Sequence, residues 1–338
     1  MQSYHMNLGA GLDGLLRKTR PVPQPGSGEV LVKVAAVSLN YRELMILLQG
    51  RYPLPVKPDV VAVSDGAGEV VAVGPGVTQR KVGERVVASI FPYWQDGPFT
   101  LEHAAQLGGS LDGMLSEYVL LPETALLPVP DYLSLTQAAT LPCAAVTAWH
   151  ALTGGRPLQP GQTVLTLGTG SVSLFALQLA QLFGARVIAT TSSADKAARL
   201  RELGADAVID YRQQPDWAAE VRRLTQGQGV DLVVEVAGAT LAQSLQAVRL
   251  GGEIALIGSV GGGGAVLDAS AILASGATLR PLAVGSRARF AAMLTAMAAG
   301  KVQPVIDRVF SFAQVAEAFA YYAGQSAPGK VVIKVGAL

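Results

Sequence analysis

Hydrophobic residues recur at every second position along several stretches of the first 125 residues. In the run EVLVKVAAV (29–37) valines alternate with other residues, which is the period of a half-buried β-strand. Further short valine-rich runs follow at 70–73, 85–88 and 118–121, separated by turns rich in glycine and proline. The pattern predicts a β-rich N-terminal region. Residues 91–113 are polar, glycine-rich and aromatic, and we expect a long surface loop there.

The pattern changes near Ser134, where apolar runs of strand length begin to alternate with amphipathic helical segments. Alternation of this kind is typical of βαβ units, in which a parallel sheet is covered by helices on both faces. Four successive glycines, Gly261–Gly264, then mark a loose connection. The predicted strands are Arg186–Thr190, Asp206–Asp210, Asp231–Glu235, Glu253–Ile257 and, at the end of the chain, Lys330–Val335; the predicted helices are Asp195–Leu203, Trp217–Thr225, Leu241–Val248, Arg287–Ala299 and Phe312–Tyr322.

No charged residue occurs from Pro157 to Ala185, and a run of this length raises the possibility of a membrane-spanning helix. Prolines at 157 and 160 and glycines at 161, 168 and 170 interrupt the run. A strand over Thr163–Leu167, a glycine turn and a helix over Val172–Phe183 account for all of these residues. We therefore expect a buried strand–turn–helix and no membrane span.

Composition narrows the functional class. Of the 338 residues only 15% are charged, and 26 basic against 25 acidic side chains give a net charge of +1. Such a chain has no basic surface for nucleic acid, and its length suits two domains. A single cysteine, Cys143, excludes an internal disulfide framework. The first residues lack the pattern of a secretory signal, and we expect a cytoplasmic protein.

The glycine turn is a candidate dinucleotide site. Gly168, Thr169, Gly170, Ser171 and Val172 follow a predicted strand and open a predicted helix. In the dinucleotide-binding fingerprint the first glycine makes the turn, the second lets backbone N–H groups approach a pyrophosphate, and the helix N-terminus adds its dipole. The third glycine is replaced by Ser173. The alternative is a tight turn that binds no ligand.

The residues after the next strand indicate which dinucleotide is bound. The fingerprint expects an acidic residue there to bind the ribose 2′-hydroxyl. This chain has hydroxyl residues instead, with a lysine and a tyrosine nearby, and that set favours a 2′-phosphate and hence NADP(H). Serine caps on the helix beginning near Ala194 are an alternative reading of the same hydroxyls. The residues concerned are Thr191, Ser192, Ser193, Lys196 and Tyr211.

Taken together, these motifs resemble a known family. The chain is similar to the zinc-independent medium-chain dehydrogenases/reductases, in the branch of the quinone oxidoreductases and enone reductases. The resemblance implies an α/β protein with a GroES-like β-rich catalytic domain (1–130 and 269–338) and a Rossmann domain with a doubly wound parallel sheet (131–268), with the active site in the cleft. The motifs that carry it are Gly11–Leu15, EVLVKV, SLNYREL (38–44), YPLP (52–55), SDGAGEVVAVGPGV (64–77), VGERV (82–86), ATLPCAAVTAWHAL (139–152), LGTGSVSLFALQLA (167–180), GADAVIDYR (204–212), VGSR (284–287) and GKVVI (329–333).

Departures from the zinc-dependent relatives bear on the chemistry. Where those enzymes place a cysteine ligand this chain has Asn40, and where they place a His-Glu pair it has Ser64 and Asp65; only the last cysteine is matched, by Cys143. Zinc requires three protein donors, so we predict no metal. Without a Lewis acid, an acceptor that delocalises the incoming negative charge is favoured. We therefore expect hydride transfer from NADPH to a quinone or an α,β-unsaturated carbonyl.

The resemblance also implies roles for individual residues. Asn40 could donate a hydrogen bond to the substrate oxygen, or could simply cap the helix that begins at Tyr41. Tyr52 could orient substrate or line the pocket, and Arg42 and Asp65 could pair across the vacated metal site. Phe91 and Trp94 could line an apolar cleft or anchor their loop. The resemblance also implies residues near the cofactor. Tyr41 and Lys330 would lie near its phosphates and Thr147 beside its nicotinamide. Two backbone segments would hold its carboxamide: Ile257–Val260, with Gly258 and Ser259, and Val284–Ser286, with Gly285.

Two other functions remain open from the sequence. One is a dehydrogenase or carbonyl reductase acting on simple alcohols or aldehydes, which would need a metal or a compensating set of donors. The other is a non-catalytic NADPH-binding protein. For partners we expect a small carbonyl or quinone substrate, no nucleic acid and no membrane. The family commonly forms homodimers by pairing Rossmann sheets around Glu253–Ile257 and the segment after it, and we expect a homodimer here.

Overall fold

The computed structural model describes residues 1–258, 268–324 and 328–336. Ser259 and the glycine run Gly261–Gly264, both singled out from the sequence, lie outside the described residues. The chain divides into two compact units, one formed by Met1–Ala144 with Ser286–Leu338 and the other by Ala145–Gly285. The divisions therefore fall later in the chain than the predicted domain boundaries at 130 and 268.

The strands take up much of the first unit and the centre of the second. Their bounds are β1 (Gln2–Met6), β2 (Leu16–Thr19), β3 (Glu29–Ser38), β4 (Val60–Val61), β5 (Asp65–Val73), β6 (Arg85–Ala88), β7 (Tyr118–Pro122), β8 (Leu126–Pro128), β9 (Thr163–Thr166), β10 (Arg186–Thr191), β11 (Ala207–Asp210), β12 (Val230–Glu235), β13 (Val248–Leu256), β14 (Thr278–Pro281), β15 (Ile306–Ser311) and β16 (Lys330–Lys334).

Most helices lie in the second unit. Their bounds are α1 (Tyr41–Leu47), α2 (Leu135–Ala138), α3 (Val146–Thr153), α4 (Ser171–Leu182), α5 (Ala194–Glu202), α6 (Trp217–Leu224), α7 (Leu241–Ala247), α8 (Ala269–Ser275), α9 (Arg287–Gly300) and α10 (Val315–Ala323). A π-helical turn, Leu141–Ala145, leads into α3, and short 3₁₀ turns occur at Leu12–Gly14, Leu101–His103, Glu123–Ala125 and Phe312–Gln314.

The first unit is built on a β-sheet of order β15-β16-β3-β5-β6-β8, with β7 also paired to β3. A smaller antiparallel sheet has the order β2-β1-β4. The valines of β3 are buried as predicted, but so are Leu31, Ala35 and Ala36, which lie between them along the strand. β3 is therefore buried on both faces and not half-buried; β5, β7 and β16 pair with it along its edges within the sheet.

The second unit contains a parallel sheet of order β11-β10-β9-β12-β13-β14. Counted from β9, this is the 3-2-1-4-5-6 order of the Rossmann fold, in which ligands bind where the order reverses, at the carboxyl ends of the first and fourth strands. The predicted α/β class and its two architectures are confirmed. β13, which contains Glu253–Leu256, lies between β12 and β14, so the edge of the sheet is β14, in the segment after the one named from the sequence; the homodimer stays a prediction.

The uncharged stretch resolves into strand β9 and helix α4, within a residue of the predicted bounds. The middle of α4 is apolar on nearly every side, and its residues Leu174, Phe175 and Leu177 are all buried in the second unit. A helix buried all round needs no charged face. Among the described residues no helix combines the length and apolar character needed to cross a membrane.

Residues 91–113 differ from the predicted surface loop. Phe91 and Trp94 are buried, and Trp94 is only 1% exposed. The rings of Phe91, Trp94 and Phe99 pack edge to face with centroids 5.0–6.1 Å apart, a geometry that aromatic pairs prefer. These contacts support the alternative in which the two aromatic residues anchor their own segment.

Candidate active site

The glycine turn in the second unit has the geometry that a dinucleotide needs. Gly168 adopts a φ of 73°, a conformation that only glycine takes up at little cost. Its N–H donates to the carbonyl and hydroxyl oxygens of Thr190, at 3.1 and 3.2 Å. A methyl group added at Gly168 or Gly170 would have no neighbour within 4 Å. The turn therefore leaves open space before the N-terminus of α4, where a phosphate is favoured.

Ser173 explains how the motif works without its third glycine. The Ser173 hydroxyl donates a 2.6 Å hydrogen bond to the carbonyl oxygen of Leu167, at the end of the preceding strand. The side chain is 1% exposed. A small residue is still required there, since helix and strand pack closely, and serine adds a bond that ties the two elements together.

The residues after β10 divide into buried and accessible groups. Thr191 is 1% exposed, and its hydroxyl has no hydrogen-bond partner among the described residues. The predicted contact between its side chain and a 2′-phosphate is corrected, because that side chain points into the protein. Ser193 caps α5, accepting a hydrogen bond from the Lys196 N–H at 3.4 Å. Ser192 and Lys196 are half-buried and Tyr211 is 41% exposed, so these side chains can reach a ligand.

The second segment predicted to bind the carboxamide, Val284–Ser286, is contacted at its start by His150, for which the sequence predicted no role at the cofactor. In the second unit Nδ1 of His150 lies 2.9 Å from the carbonyl oxygen of Ala283 and 3.3 Å from that of Val284. Thr147 is buried on the same helix, α3, and Gly258 is half-buried at the end of the described part of its segment. Gly285 ends the second unit.

Ser286 begins the last part of the first unit. Its hydroxyl accepts a 3.3 Å hydrogen bond from the Arg289 N–H and caps α9. Ser286 is completely buried. Its side chain is therefore committed to the helix.

In the first unit the predicted catalytic residues lie around the N-terminus of α1. Asn40 is the N-cap residue, and its backbone N–H donates to Oε2 of Glu43 at 2.8 Å. Oε1 of the same carboxylate accepts from Arg42 at 2.8 Å and from Ser64. Glu43 is completely buried. A buried carboxylate needs such partners, so Glu43 organises this part of the site.

The hydrogen-bond partners of Arg42 are residues other than Asp65. Beyond Glu43, its guanidinium donates to Oε1 of Gln106 at 2.7 Å and to the hydroxyl of Tyr52 at 3.3 Å. It also lies 5.0 Å from the centre of the Tyr52 ring, within the range of a cation–π contact. The predicted Arg42–Asp65 pair is therefore wrong, because Arg42 forms its ion pair with Glu43, the next residue of α1.

Lys330 is the partner of Asp65. Its Nζ lies 3.3 Å from Asp65 Oδ2, and both side chains have no exposed surface. The ammonium group also donates to the carbonyl oxygen of Leu39 at 2.8 Å and to Oδ1 of Asn40 at 2.6 Å. An ammonium has three donors, and all three are used inside the first unit. The predicted contact of Lys330 with cofactor phosphates is corrected for this reason.

Tyr41, the other residue predicted near the phosphates, begins α1 and is half-buried. Its hydroxyl accepts a 2.9 Å hydrogen bond from Nε2 of Gln49. Its contact with cofactor stays a prediction.

Asn40 combines a satisfied oxygen with an unsatisfied nitrogen. Oδ1 accepts from Lys330, whereas Nδ2 is buried and has no hydrogen-bond partner among the described residues. A buried amide without a partner is costly. The helix-cap and the hydrogen-bond-donor interpretations of Asn40 therefore both have support. Asn40 caps α1 through its backbone, and the two N–H groups of Nδ2 have no acceptor among the described residues.

The residues present do not fit a catalytic zinc. Asn40, matched to the first cysteine ligand, and Asp65, matched to the His-Glu pair, already hold the Lys330 ammonium. Burial raises the pKa of the Cys143 thiol, an effect to which Asp65 adds, and zinc binds the thiolate. Among the described residues no three His, Cys, Asp or Glu side chains are grouped to hold a metal ion. Metal-free chemistry nonetheless stays a prediction.

Sequence reasoning missed two other residues of this cluster. Glu43 stands three positions after Asn40, the spacing of a capping box, so a local signal was available. Tyr322, on α10, gave none. Its pKa is raised above its ordinary value by burial and then by the charges of Glu43, Cys143 and Asp65.

Comparison with known proteins agrees with this architecture. Residues 26–131 match the family model described as alcohol dehydrogenase GroES-like domain, and residues 171–299 match that of zinc-binding dehydrogenase. A zinc-type alcohol dehydrogenase-like protein of Schizosaccharomyces pombe is 42% identical, with 96% of each chain covered. The chain belongs to the medium-chain dehydrogenase/reductase family. This medium-chain dehydrogenase/reductase is an oxidoreductase, and acryloyl-coenzyme A reductase of Metallosphaera sedula is 30% identical to it, with 92% and 93% covered.

Solved structures resemble the medium-chain dehydrogenase/reductase over nearly all of its length. An NAD-dependent alcohol dehydrogenase superposes with a TM-score of 0.90 at 35% identity, with 99% of this chain and 100% of the other covered. A mycobacterial protein in complex with NADPH gives 0.82 at 29% identity, covering 99% and 100%. A quinone oxidoreductase of Pseudomonas syringae pv. Tomato gives 0.83 at 26%, covering 99% of each chain.

Proposed function

We propose that this protein is an NADPH-dependent reductase that transfers a hydride to a quinone or an α,β-unsaturated carbonyl without a metal ion. The observation that carries the proposal is the site around Asn40. There a buried lysine ammonium binds the side-chain oxygens of Asn40, matched to a zinc ligand, and of Asp65, matched to the His-Glu pair, and the buried amide nitrogen of Asn40 has no partner among the described residues.

The cofactor fits the glycine turn of the second unit. When bound, reduced nicotinamide dinucleotide supplies the hydride. The residues of the chain hold it: the open space above Gly168 and Gly170 admits the pyrophosphate, and the N–H groups at the start of α4 face negative charge. Ser173 keeps helix and strand together behind the turn.

A 2′-phosphate is favoured by the groups around the start of α5. No acidic side chain stands at the end of β10 to bind a ribose hydroxyl. Ser192 offers a hydroxyl, and Lys196 offers an ammonium in the first turn of α5. Positive charge with hydroxyl donors binds a dianion, whereas NAD(H) binding uses an acidic residue.

The acceptor follows from the donors in the first unit. A hydride added to the β-carbon of an enone breaks its C=C π bond and leaves an enolate, which takes a proton from water at the α-carbon. Reduction of a simple ketone instead concentrates the charge on one oxygen. A Lewis acid contributes several kcal/mol there, and about 5 kcal/mol is roughly three to four orders of magnitude in rate. A neutral amide donor therefore suits the conjugated acceptor better.

A second candidate is an alcohol dehydrogenase acting on simple alcohols. It is favoured by the names of similar proteins, which include a zinc-type alcohol dehydrogenase-like protein and an NAD-dependent alcohol dehydrogenase. The side chains at the matched ligand positions weigh against it, because Asn40 and Asp65 are already bound to Lys330.

The proposal is tested by measuring oxidation of NADPH, and of NADH, against quinones, enones and aliphatic carbonyls, with simple alcohols and oxidised cofactor for the reverse reaction. Turnover of quinones or enones with NADPH, unaffected by chelators and without zinc in elemental analysis, is the expected result. Zinc at one equivalent with alcohol oxidation would favour the second candidate. NADPH binding with no turnover of any acceptor would favour a non-catalytic protein.

A further inference from the structure

The contact between Lys330 and Asn40 has a chemical consequence for the site. Lys330 has no exposed surface, and its Nζ is 2.6 Å from Oδ1 of Asn40. An ammonium can only donate hydrogen bonds, so it binds the oxygen of the amide and never the nitrogen. The lysine therefore fixes which end of the Asn40 side chain faces inward to β16, and Nδ2 is turned away from it.

The same contact strengthens Nδ2 as a donor. A hydrogen bond from a charged group to the carbonyl oxygen of an amide draws electron density toward that oxygen and makes the N–H groups more positive. Nδ2 is buried and has no hydrogen-bond partner among the described residues. A polarised, buried and unpartnered donor is suited to an acceptor oxygen on which negative charge develops.

We propose that Lys330 is a positioning residue that fixes and polarises the Asn40 amide, so that Nδ2 donates to the carbonyl oxygen of the substrate as it becomes an enolate oxygen. This inference rests on the proposed function. It gives Lys330 a role in the electrostatics of the substrate site. It also makes the site selective for ligands that present a hydrogen-bond acceptor at that point.

The charges around the amide are balanced, which lets the lysine remain buried. Asp65 neutralises Lys330, and its carboxylate also accepts hydrogen bonds at 3.3 Å from the hydroxyls of Ser38 and Ser64. Arg42 and Glu43 form a second neutral pair at 2.8 Å. The developing enolate thus meets an amide dipole backed by a compensated cation. Such a site stabilises a delocalised charge in preference to a full alkoxide.

The test compares three variants with the native enzyme. Asn40→Asp keeps a good N-cap residue and an acceptor for Lys330 but removes both amide donors. The double variant Lys330→Met/Asp65→Asn removes the cation without leaving a carboxylate buried and unpaired. Lys334→Met is the matched control, since Lys334 is an exposed lysine on the same strand, β16. Unfolding curves establish that each variant is folded.

The measurement that a merely structural role would not move is the C=O stretch of a bound substrate. Isotope-edited infrared spectra are recorded with ¹³C=O-labelled 2-cyclohexenone and NADP⁺, which cannot reduce it. The stretch is expected at lower wavenumber in the native enzyme and in Lys334→Met than in either of the other variants. In turnover, kcat should fall about a hundredfold in Asn40→Asp and about tenfold or more in the double variant, with KM for NADPH within about twofold.

The inference is overturned if the C=O stretch in the native enzyme lies at no lower wavenumber than in Asn40→Asp. It is also overturned if the double variant keeps both the native stretch and the native kcat. Should the double variant not fold, Asn40→Asp still tests the amide donor on which the role of Lys330 depends, because a native stretch there would show that the amide donates nothing and would overturn the inference. Failure of the proposed function is a separate result. If NADPH reduces no quinone or enone, that function is lost, whereas the stretch still reports whether the amide contacts a bound carbonyl.

Discussion

The hydroxyl of Ser173 donates a 2.6 Å hydrogen bond to the carbonyl oxygen of Leu167 across the glycine turn. Leu167 is the residue that follows β9, and the Ser173 hydroxyl supplies a donor to its carbonyl oxygen. Ser173 therefore gives the carbonyl oxygen of Leu167 a hydrogen-bond donor that a glycine at this position could not supply. It replaces the third glycine of the fingerprint without loss of packing.

We predict that Ser173→Ala lowers the free energy of unfolding by about 1–3 kcal/mol, because a buried carbonyl oxygen loses its donor. Denaturant unfolding measures this directly. Ser171→Ala is the control, since Ser171 lies two residues earlier on the same helix and is only half-buried. Equal stability of the Ser173 variant and the native protein would mean that the bond contributes nothing.

Gly170→Ala should separate cofactor binding from stability. A methyl group at this position meets no protein atom within 4 Å, and the backbone φ of −68° suits any residue. Alanine is a poorer N-cap than glycine, so a loss of under about 1 kcal/mol is expected. The methyl group would occupy the space assigned to the pyrophosphate, and KM for NADPH should rise about tenfold or more, equivalent to about 1.4 kcal/mol. An unchanged KM would place the cofactor elsewhere.

The sequence predicted the parts of the site that depend on neighbours along the chain. The glycine turn, the cap at Asn40 and the alternation of strands and helices all follow from local spacing. The capping partner Glu43 was within reach of the same reasoning, three residues after Asn40.

The buried charge pairs could not be predicted from neighbours along the chain. Lys330 meets Asn40 and Asp65 from 290 and 265 residues away. Which of two buried cations pairs with Asp65 depends on where β16 lies in the sheet beside β3, and no local pattern contains that information. The resemblance placed Lys330 near the phosphates, whereas its three hydrogen bonds commit it to Leu39, Asn40 and Asp65.

Cys143 should be slow to react in the folded protein. Burial raises the pKa of its thiol, and Asp65 adds to the effect. A raised pKa lowers the thiolate fraction at any given pH, and the thiolate is the nucleophile. We expect alkylation by iodoacetamide at pH 8 to be much slower in native protein than in denaturant, as followed by mass spectrometry. Cys143 is the chain's single cysteine, so the unfolded protein is its own control, and equal rates would contradict the prediction.

Cofactor preference should change with the residues around the start of α5. Lys196→Met removes the positive charge assigned to the 2′-phosphate, so kcat/KM for NADPH should fall about tenfold while that for NADH stays within about twofold. Ser192→Asp should go further and favour NADH, because a carboxylate repels the phosphate and accepts from a ribose hydroxyl. Arg199→Met is the matched control, since Arg199 lies on the same helix and pairs with Glu202. Parallel losses with both cofactors in Lys196→Met would remove the lysine from the phosphate site and leave the choice of NADPH without its main support.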